Sequence, residues 1–524
     1  MSKRFNITGT CIPHKHYMAD TSEKIKKIIA MVEAGEYFTI NKPRQYGKTT
    51  TIYLLDRELK KRKDYLVLKL SFEGIDTTNY EKHQLFIRTI LNIFERRLDL
   101  MDEKELTAQI AANKNITDFS ELNAFLTKFI QEANRKVILI VDEVDKSANN
   151  QLFLDFLGML RSKYLSANEG EDYTFHSVIL AGVHDVKTLK AKIRTGEKRT
   201  YNSPWNIAVD FDIDLSLSSA EITSMLEDYA VDREVKIDVP FFAEKLFYLT
   251  SGYPFLVSCL CKIIDEEIPA PGKPEKWEPG HIEQAVRIAL MKDNTNFGTL
   301  IKNLENNPDL YEFVFEIIMN GREFSFNLDN PVIHFGGIYG ILRREAGKTK
   351  IHNRLYEQRI YNYMASKMET SGKVKFDHVS SSYYNEDGTL HIEKVIGKFR
   401  DFIKEQYSKK DRDFLERNGR LMFLAFLRPI INGRGFDFKE VQISEEKRLD
   451  IVITMSNKKY IIELKVWRGE AYHQKGIEQL CDYLDRQNEK QGYLLIYDLR
   501  RESGCAGTSR EIEAHGKKIL STYV

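Results

Sequence analysis

Glu36-Tyr-Phe-Thr-Ile-Asn-Lys-Pro-Arg-Gln-Tyr-Gly-Lys-Thr-Thr50 is the stretch whose reading decides the fold. Tyr37 to Ile40 is a short apolar run and predicts a buried strand. A tight loop follows and closes on Gly47-Lys48-Thr49-Thr50, and Thr51 to Lys60 predicts a helix. Strand, Gly-Lys-Thr loop, helix is the arrangement in which a loop cradles the phosphates of a nucleoside triphosphate. Backbone amides along Arg44, Gln45, Tyr46 and Gly47 would wrap the phosphates, with Thr50 beside them. Lys48 would reach the β- and γ-phosphates, Thr49 would hold Mg²⁺, and the helix N-terminus adds a favourable dipole. One position departs from the usual pattern. The glycine expected six residues before the lysine is Lys42, followed by Pro43, so the first turn must be made differently.

A second signal lies downstream. Lys136-Val-Ile-Leu-Ile-Val141 is the continuous apolar run of a central parallel strand, and Asp142-Glu143 stand at its C-terminal end, where open α/β sheets bind ligands. Asp142 would enter the magnesium shell and Glu143 would polarise the attacking water. Tyr65–Leu70 and Ser177–Ala181 predict further strands of the same sheet. Helical spacing separates them over 84–98, 119–133 and 152–164, the alternation of a doubly wound α/β domain. His184, beyond the Ser177 strand, is a candidate γ-phosphate sensor, equally readable as a loop histidine. Arg161, Arg194 and Arg199 are arginine-finger candidates that the sequence does not rank. Phe5 and Tyr17 could stack on a base, though lead-in aromatics mostly serve packing.

At 524 residues the chain is too long for one core. A net charge of +1 leaves no whole-molecule field to attract nucleic acid, so any basic surface must be local. Cys11, Cys259, Cys261, Cys481 and Cys505 contain no Cys-x-x-Cys pair, which argues against a disulfide framework or zinc site and for reduced thiols in a cytoplasmic protein. No run is apolar enough to span a bilayer, and the N-terminus lacks a signal-peptide core.

From Ser218 the pattern turns helical, over 219–229 and 240–250, then Ser251-Gly252-Tyr253-Pro254 breaks it before another helix. This resembles the helical lid of AAA-type ATPases, and the Gly-x-Pro resembles a motif that their signalling (STAND) branch places near the nucleotide. Residues 300–367 read helix, helix, hairpin, helix, the order of a winged-helix module, with Arg343, Arg344, Lys348 and Lys350 on the hairpin. Those residues are either DNA contacts or a solvated face of a packing module. Residues 369–390, polar and Ser-rich, mark a boundary. Helices are expected over 390–406 and 411–427.

Near the C-terminus, Arg448–Thr454 and Tyr460–Trp467 predict two strands around a Met455–Lys459 turn. Glu463 and Lys465 are two apart and share a face. A hairpin places Asp450 on that face, opposite Lys465 and beside Glu463. Glu463 interrupts Ile461-Ile462 and Leu464, where a bare charge is costly. Asp450 and Glu463 can bind Mg²⁺ or Mn²⁺ with Lys465 assisting phosphodiester cleavage. The alternative is an exposed cross-strand Asp–Lys pair.

Asp450 with Glu463-Leu464-Lys465 resembles the PD-(D/E)xK nuclease core. Gln479 and Tyr483, four apart in the next helix, are similar to the Gln-x-x-x-Tyr of the branch containing RecB-type exonuclease domains. The resemblance implies one more acid from the helix before the sheet, for which Glu416 is the choice, with Arg420 on the same face. No Pro-Asp precedes Asp450. Over nearly its full length the chain resembles bacterial AAA-like ATPases fused to a PD-(D/E)xK domain. It implies an ATPase core at 1–215, a lid at 216–298, a winged helix at 299–370 and a nuclease-like domain at 385–524. The expected activity is ATP-dependent, metal-dependent DNA processing, in phage defence or mobile-element biology, with ATP and DNA as partners, no membrane, and a homo-oligomer compatible with it. The alternative is a STAND-like nucleotide switch whose C-terminal fold binds nucleic acid or a partner without cleaving.

Overall fold

The computed structural model describes residues 3–146, 150–183, 205–268, 275–318, 322–370, 389–406, 450–455, 458–486, 489–498 and 508–524, with Tyr383, Asn385, Phe423, Phe426 and Leu427 between them. The chain forms two units. One comprises 1–300, 328–343 and 352–356, and the other 301–327, 344–351 and 357–524. The segment read as a winged helix is therefore divided between them.

The first unit is organised on a parallel sheet of β1 (Tyr37–Asn41), β2 (Tyr65–Ser71), β3 (Lys136–Asp142) and β4 (Ser177–Gly182), in the order β1-β4-β3-β2. The β-branched run Val137–Val141 is almost wholly buried, as a strand covered on both faces requires. The Val209 N–H donates to the Tyr37 carbonyl (2.8 Å), and Phe38 bridges Val209 in parallel, adding a rudimentary position on the free edge of β1. Crossover helices Lys48–Leu59, His83–Asp99, Phe119–Glu132 and Gln151–Asn168 match the expected alternation. The short Lys104–Ala112 helix was not anticipated. The core is aromatic-rich, with Phe72, Phe86, Phe94, Phe129, Phe153 and Trp205 all buried.

Helices Ser219–Arg233, Val239–Thr250, Pro254–Glu266 and Pro279–Met291 follow. Ser218 and Glu221 cap the first reciprocally, and Lys24 reaches Glu221 (2.7 Å). Phe5 and Tyr17 pack against Tyr229 at ring distances of 4.9 and 5.1 Å. Tyr17 also donates to Asp232. Both rings are buried, so packing is their role.

Within the 300–370 segment, helices Pro308–Ile318, Pro331–Ile338 and Arg354–Thr370 and strands β5 (Phe324–Ser325), β6 (Leu342–Glu345) and β7 (Lys348–Ile351) give the expected element order. The β6–β7 turn is made by Ala346 and Gly347, both with positive φ (46° and 77°), the conformation a tight hairpin demands.

In the second unit, β8 (Asp450–Met455), β9 (Lys458–Val466), β10 (Gln491–Tyr497), β11 (Ser509–Ala514) and β12 (Lys517–Tyr523) form a sheet ordered β11-β12-β10-β9-β8. β9, β10 and β12 are mutually parallel, and β8 and β11 are antiparallel edges. The Ile392–Gln406 helix packs one face through Val395, Ile396 and Phe399 against Ile462, Leu464 and Leu495. The Glu470–Arg486 helix covers the other through Leu480, Cys481 and Leu484 against Ile461, Leu494 and Ile496. Gly492 allows the close approach, since a Cβ there would sit 2.9 Å from Leu484 Cδ1. The helix expected over 411–427 lies outside the described residues apart from Phe423, Phe426 and Leu427. Among the described residues, no helix is long and apolar enough to cross a membrane.

Gly252 sits at φ +72°, and a Cβ there would meet the Leu217 carbonyl oxygen at 2.0 Å. The Leu217 N–H also donates to the Gly252 carbonyl (2.7 Å), so the backbones cannot part cheaply. Gly252→Ala should lower stability by about 3 kcal/mol or more, against about 1 kcal/mol for Gly74→Ala, where φ is +79° but space is open. Urea midpoints would show the contrast. Equal shifts would place the constraint at Gly252 in its φ alone.

Candidate nucleotide site and C-terminal acidic site

The loop after β1 makes its turns at Gln45 (φ 58°) and at Gly47 (φ 87°), which is the N-cap of the Lys48–Leu59 helix. Gly47 carries the left-handed turn at no steric cost. Lys42, in the place of the missing glycine, contributes its carbonyl. Lys48 Nζ donates to the Lys42 and Pro43 carbonyls (2.7 and 2.9 Å). The ammonium thus lies across the loop it would share with phosphates. Burial pushes the Lys48 ammonium down from its ordinary range, while the carboxylates of Asp145, Glu143 and Asp142 pull the other way.

These acids arrive because β4 lies between β1 and β3, so the ends of β1 and β3 flank one strand tip. Asp142 is buried, 4.0 Å from Lys69 Nζ. Burial raises its carboxyl. Glu143 has φ 57°, donates its N–H to Asp142 Oδ1 (3.0 Å), and is likewise raised, first by burial and then by Asp142. A non-glycine residue held left-handed beside a buried acid is strain of the kind found at functional sites. Asp145 accepts from the Val183 N–H (2.6 Å), tying the tip of β4 to that of β3. Sequence reasoning passed over Asp145, although a third acid so close to Asp142 and Glu143 was a signal. Thr50 Oγ1 accepts from the Cys11 N–H (3.1 Å), which anchors the lead-in segment. Gln45 donates to Thr295 Oγ1 (3.1 Å), and Arg44 is exposed. His184, Arg194 and Arg199 lie outside the described residues.

The Gly-Tyr-Pro break comes to this loop. Tyr253 donates its hydroxyl to the Arg44 carbonyl. Pro254 Cγ stands 3.6 Å from where a Cβ on Gly47 would be. A later segment joins it, which the sequence did not foretell. The Tyr46 ring lies edge-on to Tyr253 (4.8 Å), and its hydroxyl is 3.3 Å from His352 Nε2. Tyr253 in turn contacts His352 and Tyr356, each at 5.5 Å. A Cβ on Gly340 would meet Pro43 Cγ at 2.7 Å. Burial, reinforced by Arg343 and opposed by Asp214, drops the His352 pKa to about 4.

The C-terminal hairpin differs from expectation in register. Asp450 pairs with Glu463, not with Lys465. Met455 stands opposite Lys458, so the hairpin is centred one residue earlier than expected and the pairing moves by two positions. An even shift keeps the side-chain parity, so the Asp450 position stays on the Glu463 face. Glu463 is 2% exposed, a buried carboxylate, and Lys465 Nζ sits 2.7 Å from its Oε1. Lys465 also donates to Gln479 Oε1 (2.8 Å). Tyr483 is buried one turn on. Glu463, Lys465 and Gln479 are therefore brought together. Glu416 and Arg420 lie outside the described residues. Among the described residues no three His, Cys, Asp or Glu side chains are grouped to hold a metal.

The AAA-like domain family matches residues 14–362, more than half of the chain, and the chain belongs to that family. It is an ATP-binding P-loop ATPase. Among solved structures it is similar to a Walker-type ATPase of Pyrococcus abyssi, at 11% identity and TM-score 0.46, covering 68% of this chain and 99% of the other. It is also similar to the ORC2 protein of Aeropyrum pernix, at 12% identity and TM-score 0.36, covering 66% and 93%. A third is the RuvB Holliday junction branch migration motor of Thermotoga maritima, at 13% identity and TM-score 0.34, covering 68% and 96%. Curated proteins return no match.

Lys48→Ala should abolish ATP binding in an equilibrium assay. Glu143→Gln should keep binding while hydrolysis falls on the order of 10²-fold. Hydrolysis at the wild-type rate would remove Glu143 from the role of base. His352 titrates at about 4 when folded and near 6.5 when not, so the unfolded chain takes its proton first. The stability it contributes is present above pH 6.5 and is lost as pH falls towards 4, roughly 3 kcal/mol. Thermal midpoints of wild type and His352→Gln should therefore diverge between about pH 7 and about pH 4.5, with the variant the less acid-sensitive. Parallel curves would mean that His352 is not held neutral by burial.

Proposed function

We propose that the ATPase controls a metal-dependent PD-(D/E)xK nuclease domain that acts on DNA, in phage defence or mobile-element biology within the cytoplasm. The observation that carries this reading is the Glu463–Lys465–Gln479 trio on β9 and its covering helix, Glu463 buried and the other two half-buried, with Asp450 across the ladder. A carboxylate this buried needs a reason. Asp450 and Glu463 would hold Mg²⁺ or Mn²⁺, which when bound supplies a Lewis acid and a more acidic water. Lys465, positioned by Gln479, would offer its ammonium to the scissile phosphate, and Tyr483 would support that helix face. Glu416 remains the proposed further acid. At the nucleotide site, Thr49 and Asp142 would hold Mg²⁺, and Glu143 would take the proton of the attacking water. Self-association stays compatible with an arginine supplied in trans.

For the 299–370 segment the winged-helix reading favours packing over DNA contact. Lys350 and Lys348 lie 3.3 and 3.7 Å from Glu323, so their charge is partly matched. The Pro331–Ile338 helix carries no Lys or Arg. A second reading, a STAND-like switch, is favoured by the Tyr46–Tyr253–His352 cluster, which joins the phosphate loop to Tyr253 and His352 from distant parts of the same unit.

The test is cleavage of linear and plasmid DNA with Mg²⁺ or Mn²⁺, with and without ATP. Asp450→Ala, Glu463→Gln and Lys465→Ala should each lower cleavage on the order of 10²-fold or more. Wild-type protein that cleaves nothing, but retains nucleotide stoichiometrically, would favour the switch.

A further inference from the structure

A lysine on the neighbouring strand faces Asp142. On β2, Leu66, Leu68 and Leu70 enter the aromatic-rich core, so Lys69 belongs to the opposite face of the sheet. It pairs with Ile140 on β3, which puts it on the Asp142 face, two residues short of the acid. Lys69 Nζ stands 4.0 Å from Asp142 Oδ2, too far for a hydrogen bond but close enough for the charges to act. The helix Lys48–Leu59, which starts at the phosphate loop, packs on β2 and brings a second acid, Asp56. Burial pushes the Lys69 ammonium down, Asp142 and then Asp56 pull it up, and Arg97 and Lys60 work against them. One ammonium therefore lies in the field of two buried carboxylates. Asp56 is 7% exposed. Its Oδ2 takes Arg97 at 2.7 Å and Lys60 at 3.1 Å. Its Oδ1 is buried and accepts no hydrogen bond from the described residues. Buried acceptors are satisfied as a rule, so this oxygen asks for a donor that arrives under other conditions.

We propose that Lys69 is a positioning residue for the Mg²⁺ of the nucleotide site: it is the counter-ion of Asp142 until Mg²⁺ and nucleotide enter, and it then turns to Asp56 Oδ1. A lysine suits this exchange, since its flexible stem and three donors let it change partner without moving the backbone. Mg²⁺ takes a carboxylate oxygen at about 2.1 Å, far closer than the ammonium stands, and two cations on one carboxylate repel each other. The lysine thus stabilises a buried acid ahead of the metal and weakens the hold of the metal by the same contact. The proposal rests on the reading of Asp142 as a Mg²⁺ ligand.

The experiment uses the full chain and a non-hydrolysable ATP analogue. Its affinity is measured by calorimetry at one pH, in EDTA and in Mg²⁺, and the ratio of the two is the contribution of the metal. Lys69→Met and Lys69→Gln remove the charge, and in each the ratio should rise about fivefold or more. Asp56→Asn keeps an oxygen for Arg97 but removes the charge that draws Lys69 away, so its ratio should fall. Lys69→Arg should return the ratio towards wild type. Binding in EDTA reports that each variant is folded. Thermal midpoints in EDTA give a second readout: Lys69→Met and Asp142→Asn together should lose less than the sum of the two singly. An unchanged or lower ratio in both neutral Lys69 variants overturns the proposal, and so does a rise in Asp56→Asn. The ligand reading fails separately. Asp142→Asn with the wild-type ratio would end that reading. A ratio lost in Asp142→Asn but untouched in the Lys69 variants would keep it and end only the role of Lys69.

Discussion

The phosphate loop holds its shape from outside. Its first glycine is replaced by Lys42, and Pro43 stiffens the next position, so the loop cannot fold back on itself in the usual way. Three supports take over: the Tyr253 hydroxyl on the Arg44 carbonyl, Pro254 against Gly47, and Gly340 beneath Pro43. Each comes from a segment remote in sequence. Tyr46 then carries the contact on to His352. Lys48 is held by the Lys42 and Pro43 carbonyls, and Pro43 lies against Gly340.

The charges in the site are held at a cost. Lys48 and Asp142 are both buried, with the ammonium pushed down and the carboxyl up. Low dielectric makes each sensitive to a charged ligand. Phosphates and a divalent cation would each bring the opposite charge to one of them. The strained Glu143, propped by the buried Asp142, is oriented before any ligand arrives.

The C-terminal sheet meets a similar problem with a different solution. Glu463 sits in the middle of a helix-covered strand, and Lys465, two residues along, reaches back to neutralise it. The same lysine is fixed by Gln479 from the covering helix. One ammonium therefore joins strand, acid and helix. The two-position change in hairpin register is tolerated because the strand period is two. Asp450 gains Glu463 as its direct neighbour and keeps its face.

Periodicity and motif order were enough for the parallel sheet, its crossover helices, the β6–β7 hairpin and the pairing of the Lys48 loop with Asp142 and Glu143. These depend on local patterns: unbroken β-branched runs, helical spacing and glycine at positive φ. Strand parity put Glu463 and Lys465 on one face, Gln479 was singled out by its resemblance to a Gln-x-x-x-Tyr motif, and its bond to Lys465 came only with the tertiary structure. Other features were not. Phe5 and Tyr17 could have met a base or a core, and only the Tyr229 contact decides for packing. His352 reads in sequence as the end of a basic hairpin, and nothing local says that it will be buried against Tyr46. Gly252 reads as a helix break, whereas its necessity comes from the Leu217 carbonyl that would occupy its Cβ. The hairpin register turned on where the turn is centred, which strand periodicity does not fix. Sequence alone determined the elements and the chemistry they carry, since those follow from the chain's own period. Tertiary structure decided which distant residues complete each site, because burial and contact are properties of where segments meet.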